Sequence, residues 1–418
     1  MSVDAWSPSG PAGQSRRRVL FVTGTRADFG KLKPLIREVA CREEFEYRIF
    51  ATGMHMLSRY GLTVNEIYRS GFDHIYPYVN QDGSVNTQMD LVLANTIQGL
   101  GHFVREFPPD LIVVHGDRVE TLAGAIVGAL NNTLVAHIEG GEISGTVDEL
   151  IRHAVSKLSH LHFVANDDAR VRLMQMGETC ESISVIGSPD VDVMLSDSLP
   201  SMDEVRAHYD IAFGHYGILL YHPVTTEVAG LRERIATVVS AVQRSDWNFV
   251  VLYPNNDTGS DVILETVLKL QGNSRFRCLP SMRFEYFLTL LKHARAVVGN
   301  SSCGVREAPV YGVPSVNIGT RQANRYRYPS IVDVLEDETS ILAALDHLPR
   351  AIPPSFHFGR GQSAKLFVGS LQTPRMWATP RQKQFRDMVV NGDQDRPREI
   401  VPGVERPDRR VPAIGVSQ

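Results

Sequence analysis

Two doubly wound α/β domains facing a cleft are the fold class predicted for this chain of 418 residues. Three observations predict it. Short apolar runs alternate with segments of helical spacing, the pattern of parallel strands joined by helices. The alternation pauses near residue 196 and restarts near 217, which gives two units of similar size. Charged and hydroxyl residues gather just past the strand ends, where ligands lie in open α/β sheets.

In the first unit, "RRVLFVTGT" (17–25) is a buried strand closed by Gly24. "DFGKLKPLIREVACRE" follows, with Leu32, Leu35, Ile36 and Val39 on one helical face. "EYRIFATG" is a strand and "LVLANTIQGLGHFVREF" a helix. "DLIVVHGD" and "TLVAHIEGG" are strands on either side of the helix "RVETLAGAIVGALNN". The helix "VDELIRHAVSKLSH", the strand "LHFVAN" and the helix "DDARVRLMQMG" come next, and "SISVIGSPDVDVM" ends the unit. "SDSLPSMDEVRAHYDIAFGHY" reads as a connection.

The second unit has strands at "GILLYHP", "NFVVLYPNN", "RFRCLPS", "RAVVGNSS" and "PSVNIG". Helices are expected at "RERIATVVSAVQRS", "SDVILETVLKLQG" and "RFEYFLTLLKHA", and one starting near Gly304 in "GVREAPVYG". The expected organisation is a disordered leader (1–17), a first domain (18–195), a second domain (196–375), a closing helix (376–392) and a disordered tail (393–418).

Composition narrows the function. With 43% hydrophobic and 22% charged residues this is an ordinary globular composition, and a net charge of −4 offers nothing to nucleic acid or a membrane surface. Four cysteines without a CxxC pair argue against zinc or a disulfide framework and suit a reducing cytoplasm. No apolar run is long enough to span a bilayer, and the leader lacks the apolar core of a secretory signal.

The strand ends carry the chemistry. In the first unit Arg26, Asp117, Arg118, Glu139 and Glu142 lie at or just past strand ends, and Asp148 opens the next helix. Asp148 alone could simply answer a helix dipole, and Asp117 alone could be a turn residue. Together they place several carboxylates along one crevice. Such crowding shifts carboxyl pKa values apart, so that neighbours hold different protonation states. His137 and Glu139 form H-x-E without a following cysteine pair, and HExxH is absent, so no metal is expected. In the second unit "VGNSSCGVREAP" runs from a strand into Ser301 and Ser302 and then toward a helix. That is a candidate diphosphate site, with Glu307 one turn in as a candidate acceptor for ribose hydroxyls; a plain N-cap is the alternative. Dinucleotide and P-loop fingerprints are absent.

The stretches "VTGTRADFGKLKPLI", "TGMHM", "HGDR", "HIEGGEISGTVDELIRHAVSKLSH", "YHPVTTE", "PNNDTGS", "GNSSCGVREAPVYGVPS" and "GTRQANR" strongly resemble the hydrolysing UDP-N-acetylglucosamine 2-epimerases of bacterial sialic acid synthesis. The resemblance runs from about Arg18 to about Val390. It implies a GT-B fold, UDP held mainly by the second domain, and the products N-acetylmannosamine and UDP. It implies Asp117, Glu139 and Asp148 as catalytic carboxylates. It implies Arg26, Arg118, His222, Asn255, Arg283, Ser301, Ser302, Glu307 and Arg321 as substrate-binding residues. UDP-GlcNAc is the expected substrate, no cofactor is expected, and a homodimer or homotetramer is the expected assembly. Asp261 follows "PNNDTGS" where relatives with a feedback site use basic residues, which speaks against that site here. The alternatives are a hydrolysing epimerase for UDP-2,4-diacetamido-2,4,6-trideoxyglucose, a non-hydrolysing UDP-GlcNAc 2-epimerase, a GT-B glycosyltransferase, and a non-catalytic sugar-nucleotide binding protein. The "TGTRADFG" form speaks against the non-hydrolysing enzyme.

Overall fold

A computed structural model describes residues 16–82, 88–144, 147–224, 226–254 and 257–387. The strands of the first domain are β1 (Arg17–Thr23), β2 (Phe45–Ala51), β3 (Ile75–Pro77), β4 (Leu111–His115), β5 (Leu134–Ile138), β6 (Leu161–Val164) and β7 (Ile183–Val185). Among the described residues they form a seven-stranded sheet in the order β3-β2-β1-β4-β5-β6-β7. Every pairing is parallel; Val19, for instance, stands opposite Tyr47 on one side and Leu111 on the other. The second domain holds β8 (Tyr216–Leu220), β9 (Asn248–Leu252), β10 (Phe276–Leu279), β11 (Val297–Gly299), β12 (Ser315–Ile318) and β13 (Ile331–Val334), in the order β10-β9-β8-β11-β12-β13.

Helices cover both faces of each sheet, so the strands are apolar on both sides. Phe21 and Val113 face one core layer, while Leu20 and Ile112 face the other. In the second domain Leu219 and Val251 face one layer, Ile218 and Val250 the other. Strand order reverses between β1 and β4, and again between β8 and β11. Each reversal opens a crevice beyond the carboxyl ends of its strands. Gly299 ends β11 so close to β8 that an added Cβ would lie 1.9 Å from the Leu220 carbonyl oxygen, at φ +131°. Only glycine allows that approach.

Several expectations change. β3 and the short helix Val64–Arg69 carry no pattern strong enough to read from sequence. The connection after 196 contains the helix Met202–Tyr209, set by a capping box between Ser201 and Glu204, and its Val205 enters the second core. No α-helix starts near Gly304. Instead, Ser302–Gly304 and Ala308–Tyr311 are separate 3₁₀ turns. Pro309 cannot donate a backbone hydrogen bond, which removes a link that a continuous α-helix through this segment would need.

The expected closing helix is short. Among its described residues only those within Pro374–Trp377 are helical, and 378–387 are not; Pro380 blocks continuation, and 388–392 lie outside the described residues. The helix Ser363–Leu371 packs on the first domain, where Ala364, Phe367, Val368 and Leu371 join the core beside Phe21 and Phe163. The second unit therefore does not run to 375 as expected. β1 begins at Arg17, inside the expected leader; residues 1–15 and the expected tail lie outside the described residues. Among the described residues no helix is long and apolar enough to cross a membrane.

Candidate active site

The two crevices face one another across a cavity of about 420 Å³ lined from both domains. The first domain supplies the ends of β1, β4 and β5 and the first turns of the helix Val147–Leu158. The second supplies the ends of β8 and β11 and the segment holding Arg321 and Arg325.

After β1, Thr25 and Asp28 form a capping box that starts the helix Arg26–Ala40. Asp28 is buried and accepts hydrogen bonds from the backbone N–H groups of Gly24 and Thr25, 3.0 and 3.1 Å away. This turn projects Arg26 across the cleft. Its Nη1 donates to Ser281 Oγ at 2.8 Å, and its Nη2 lies 2.7 Å from Glu66 Oε1.

After β4, the carbonyl of Gly116 is held by His137 Nε2 at 2.8 Å. The next residue, Asp117, pairs with Arg152 from the helix Val147–Leu158, and Arg152 also donates to the Glu142 carbonyl at 3.2 Å. Asp148, at the start of the same helix, lies 3.6 Å from the Arg321 guanidinium. The Asp117 and Asp148 side chains are 27% and 26% exposed, open enough to exchange protons with water.

After β5, Glu139 adopts φ +63°, a left-handed conformation that costs a non-glycine residue energy and concentrates at functional sites. Its Oε1 accepts from Ser188 and from Arg306 Nη2, the latter at 2.7 Å. Its Oε2 lies 3.0 Å from His115 Nε2 and 3.4 Å from Lys31 Nζ. Burial pushes this carboxyl up, but Arg306, Lys31 and His115 outweigh it and hold Glu139 well below the usual carboxylate range. Glu139 is therefore ionised at neutral pH.

Lys31 also lies 2.9 Å from Asp190 and 3.5 Å from Glu307. Burial would lower its pKa, yet Asp190 and Glu139 raise it further, so it stays charged. Burial, reinforced by the charge of Asp190, pushes Glu307 above the usual range against the pull of Lys31. Burial pushes Asp190 up, but Lys31, Arg306 and the Ser188 hydrogen bond together hold it below its usual value. Adjacent carboxyl groups are thus pushed in opposite directions.

In the second domain, Asn300 clamps two loops. Its Oδ1 accepts from the His222 N–H at 2.7 Å, and its Nδ2 donates to the His222 carbonyl at 2.8 Å. The same Asn300 carbonyl accepts from Arg321 at 3.2 Å and Gln322 at 2.9 Å. Ser301 and Ser302 line the cavity, and the Ser301 hydroxyl accepts from Cys303 N–H at 3.4 Å.

The cavity brings together Arg26, Asp117, Arg118, Glu139, Asp148, His222, Ser301, Ser302, Glu307 and Arg321. Two expectations differ and a third falls outside the described residues. Asn255 lies outside the described residues. Arg283 is not among the lining residues; its guanidinium lies 3.8 Å from Glu66 and over the Tyr286 ring. Glu307 sits between 3₁₀ turns rather than one turn into a helix, and is buried against Lys31. Four further cations of the site carry no sequence signal strong enough to single them out, Lys31, Arg152, Arg306 and Arg325, and neither does His115. Ser188 and Asp190 also belong to the site. They follow the end of β7 in "GSPD", a position that the strand-end rule marks. Among the described residues no cluster of three or more His, Cys, Asp or Glu could hold a metal ion.

Residues 37–372 match the family model described as UDP-N-acetylglucosamine 2-epimerase. A UDP-N-acetylglucosamine 2-epimerase of Neisseria meningitidis serogroup B is 46% identical over 377 residues, spanning 89% of this chain and 99% of that protein. A UDP-N,N'-diacetylbacillosamine 2-epimerase (hydrolyzing) of Legionella pneumophila is 34% identical over 332 residues, spanning 79% of this chain and 88% of that protein. In structure, the chain shares the two-domain GT-B fold of a Neisseria meningitidis UDP-GlcNAc 2-epimerase solved with UDP-GlcNAc. The TM-score is 0.72 at 17% identity, covering 85% of this chain and 99% of that one.

Proposed function

The chain belongs to the UDP-N-acetylglucosamine 2-epimerase family, and we propose that it is a hydrolysing member, converting UDP-GlcNAc and water to N-acetylmannosamine and UDP. The observation that carries this reading is the opposition of two chemistries across one cavity. Asp117, Glu139 and Asp148 line it from the first domain, while His222, Ser301, Ser302 and Arg321 line it from the second.

The C2–H of the sugar is not next to a carbonyl, so loss of UDP must lead. As the C1–O bond breaks, its electron pair leaves on the diphosphate, and positive charge grows at C1 and the ring oxygen. The hydroxyls and cations of the second domain suit the departing diphosphate. Ionised Glu139 supplies a fixed negative charge toward the cationic sugar. The C2 proton then passes to a carboxylate, and its bond pair forms the C1–C2 double bond of 2-acetamidoglucal. Water adds at C1 while a proton reaches C2 from the opposite face, giving the manno configuration. The partly exposed Asp117 and Asp148 suit the proton transfers. We place the reaction at the first step of sialic acid synthesis, on the motifs shared with that subgroup.

The test is incubation with UDP-GlcNAc in D₂O, with proton NMR of the fresh sugar. The expected product is N-acetylmannosamine carrying deuterium at C2. N-acetylglucosamine with its C2 hydrogen kept would mean simple hydrolysis and would overturn the elimination. UDP-N-acetylmannosamine would mean the non-hydrolysing reaction. The likeness to the Legionella enzyme supports one second reading, a 2,4-diacetamido sugar nucleotide as substrate. Comparing kcat/KM for the two sugar nucleotides decides between them.

A further inference from the structure

We propose that Arg306 is a positioning residue that couples the nucleotide loop of the second domain to Glu139 of the first; this rests on the function proposed above.

Arg306 stands one hydrogen-bonded turn beyond the serine pair. Its backbone N–H donates to the Ser302 carbonyl at 2.9 Å, so a shift of the Ser301–Ser302 loop carries Arg306 with it. Its guanidinium crosses to the other domain. There Nη2 meets Glu139 Oε1 at 2.7 Å and Ser188 Oγ at 2.9 Å, while Nη1 pairs with Glu142. The ring of Phe358 lies 4.7 Å from the guanidinium carbon and fixes its plane. The side chain is 7% exposed, so water competes little for these bonds.

Other groups around Glu139 do not form this link. Lys31 comes from the helix Arg26–Ala40, His115 from β4, and Ser188 and Asp190 from the segment after β7, all within the first domain. Glu142 and His137 flank Glu139 on its own strand and loop. Glu307, from the second domain, meets Lys31 rather than Glu139. Lys31 is nearer to Asp190 than to Glu139, 2.9 against 3.4 Å, so it cannot replace the missing fork. Glu139 is also strained, and a strained residue keeps its geometry only while its surroundings enforce it. Arg306 thus ties the catalytic carboxylate to the place where the diphosphate is gripped.

The experiment compares Arg306→Gln and Arg306→Lys with the wild type. UDP affinity by calorimetry is expected to stay within about threefold, because the serine pair and His222 are untouched. The kcat of Arg306→Gln is expected to fall by about a hundredfold, the usual effect of a misplacement near 1 Å. The acid limb of kcat/KM should move to higher pH in Arg306→Gln, because Glu139 loses a cation. In Arg306→Lys the limb should stay close to the wild-type position while kcat remains low, since charge is kept and the fork is lost. Wild-type kcat in Arg306→Lys would overturn the proposal, as would an unmoved acid limb in Arg306→Gln.

A readout without turnover separates this proposal from the functional reading. UDP should slow amide hydrogen exchange in the peptide containing Glu139 in the wild type, and much less in Arg306→Gln. Equal protection in both would overturn the coupling even if the enzyme turned over. Absence of sugar release by the wild type would instead count against the function proposed above.

Discussion

His137 Nε2 lies 2.8 Å from the carbonyl oxygen of Gly116, so the strand that leads into Glu139 also holds the turn that presents Asp117. The other ring nitrogen lies 3.0 Å from the Ser156 hydroxyl. Burial pushes this imidazole down to about 3, so the neutral ring donates to Gly116 and accepts from Ser156. His137→Phe removes both bonds and leaves a buried carbonyl without its donor, a loss of about 1–3 kcal/mol of stability. Activity should fall through kcat, with His137→Gln recovering part of it. Equal kcat in the wild type and His137→Phe would show that Asp117 does not need this support.

Acid should unfold the protein through two buried histidines. His55 and His137 both titrate near 3 when folded, against the usual 6.5, because burial penalises the charged ring. The unfolded chain therefore takes up these protons first. Their contribution is fully present above pH 6.5 and is lost as pH falls toward 3. Each group removes up to about 1.4 kcal/mol per pH unit across that window. Urea midpoints at pH 7 and pH 5 check this, and His137→Gln should flatten the dependence. A slope unchanged by the substitution would rule His137 out as a contributor.

Asp117→Asn, Glu139→Gln and Asp148→Asn should each lower kcat by about 10²–10⁴, the usual worth of an acid–base group. UDP affinity should hold, because the second domain keeps its contacts. Glu139→Gln should also lower stability most, since it leaves Arg306 and Lys31 buried beside a neutral amide. Near-normal turnover in all three variants would refute the assigned roles.

Ser301→Ala combined with Ser302→Ala should weaken UDP binding by about tenfold or more, since a hydrogen bond to a charged group is worth about 1.5–3 kcal/mol. The 3₁₀ turn loses the Ser301 cap on the Cys303 N–H but should survive, because the Gly304 and Val305 N–H groups still donate to the Ser301 and Ser302 carbonyls. Calorimetry with UDP alone is the measurement. Unchanged affinity would mean that the hydroxyls do not touch the diphosphate.

Most strands were legible because parallel strands buried on both faces make continuous apolar runs, as in "DLIVVHGD" and "NFVVLYPNN". Asp117, Glu139 and Ser301 were legible for the same reason: each follows such a run. Lys31 and Arg306 were not. Each sits in a segment that looks like an ordinary charged face, and only tertiary packing points it into the cavity. The helix expected near Gly304 is instead two 3₁₀ turns, and Pro309, without a backbone donor, sits inside the second. Pro380 stops the expected 376–392 helix in its described part, while Ser363–Leu371 is only nine residues long and carries Gly369 inside it.

The return of Ser363–Leu371 to the first domain has a consequence for the order of events during synthesis. Phe367 packs on Phe21 and Phe163, at ring distances of 6.5 and 4.8 Å, so the earliest-made core waits for nearly the last described helix. The second domain lies wholly between them in the chain. It can complete its core while the first still lacks a wall, reversing the usual progression from the amino end. A nascent chain halted before Ser363 should carry a folded second domain and a first domain that binds a hydrophobic dye. A halted chain with a dye-silent, protease-resistant first domain would mean that the returning helix is an ornament on a core already closed.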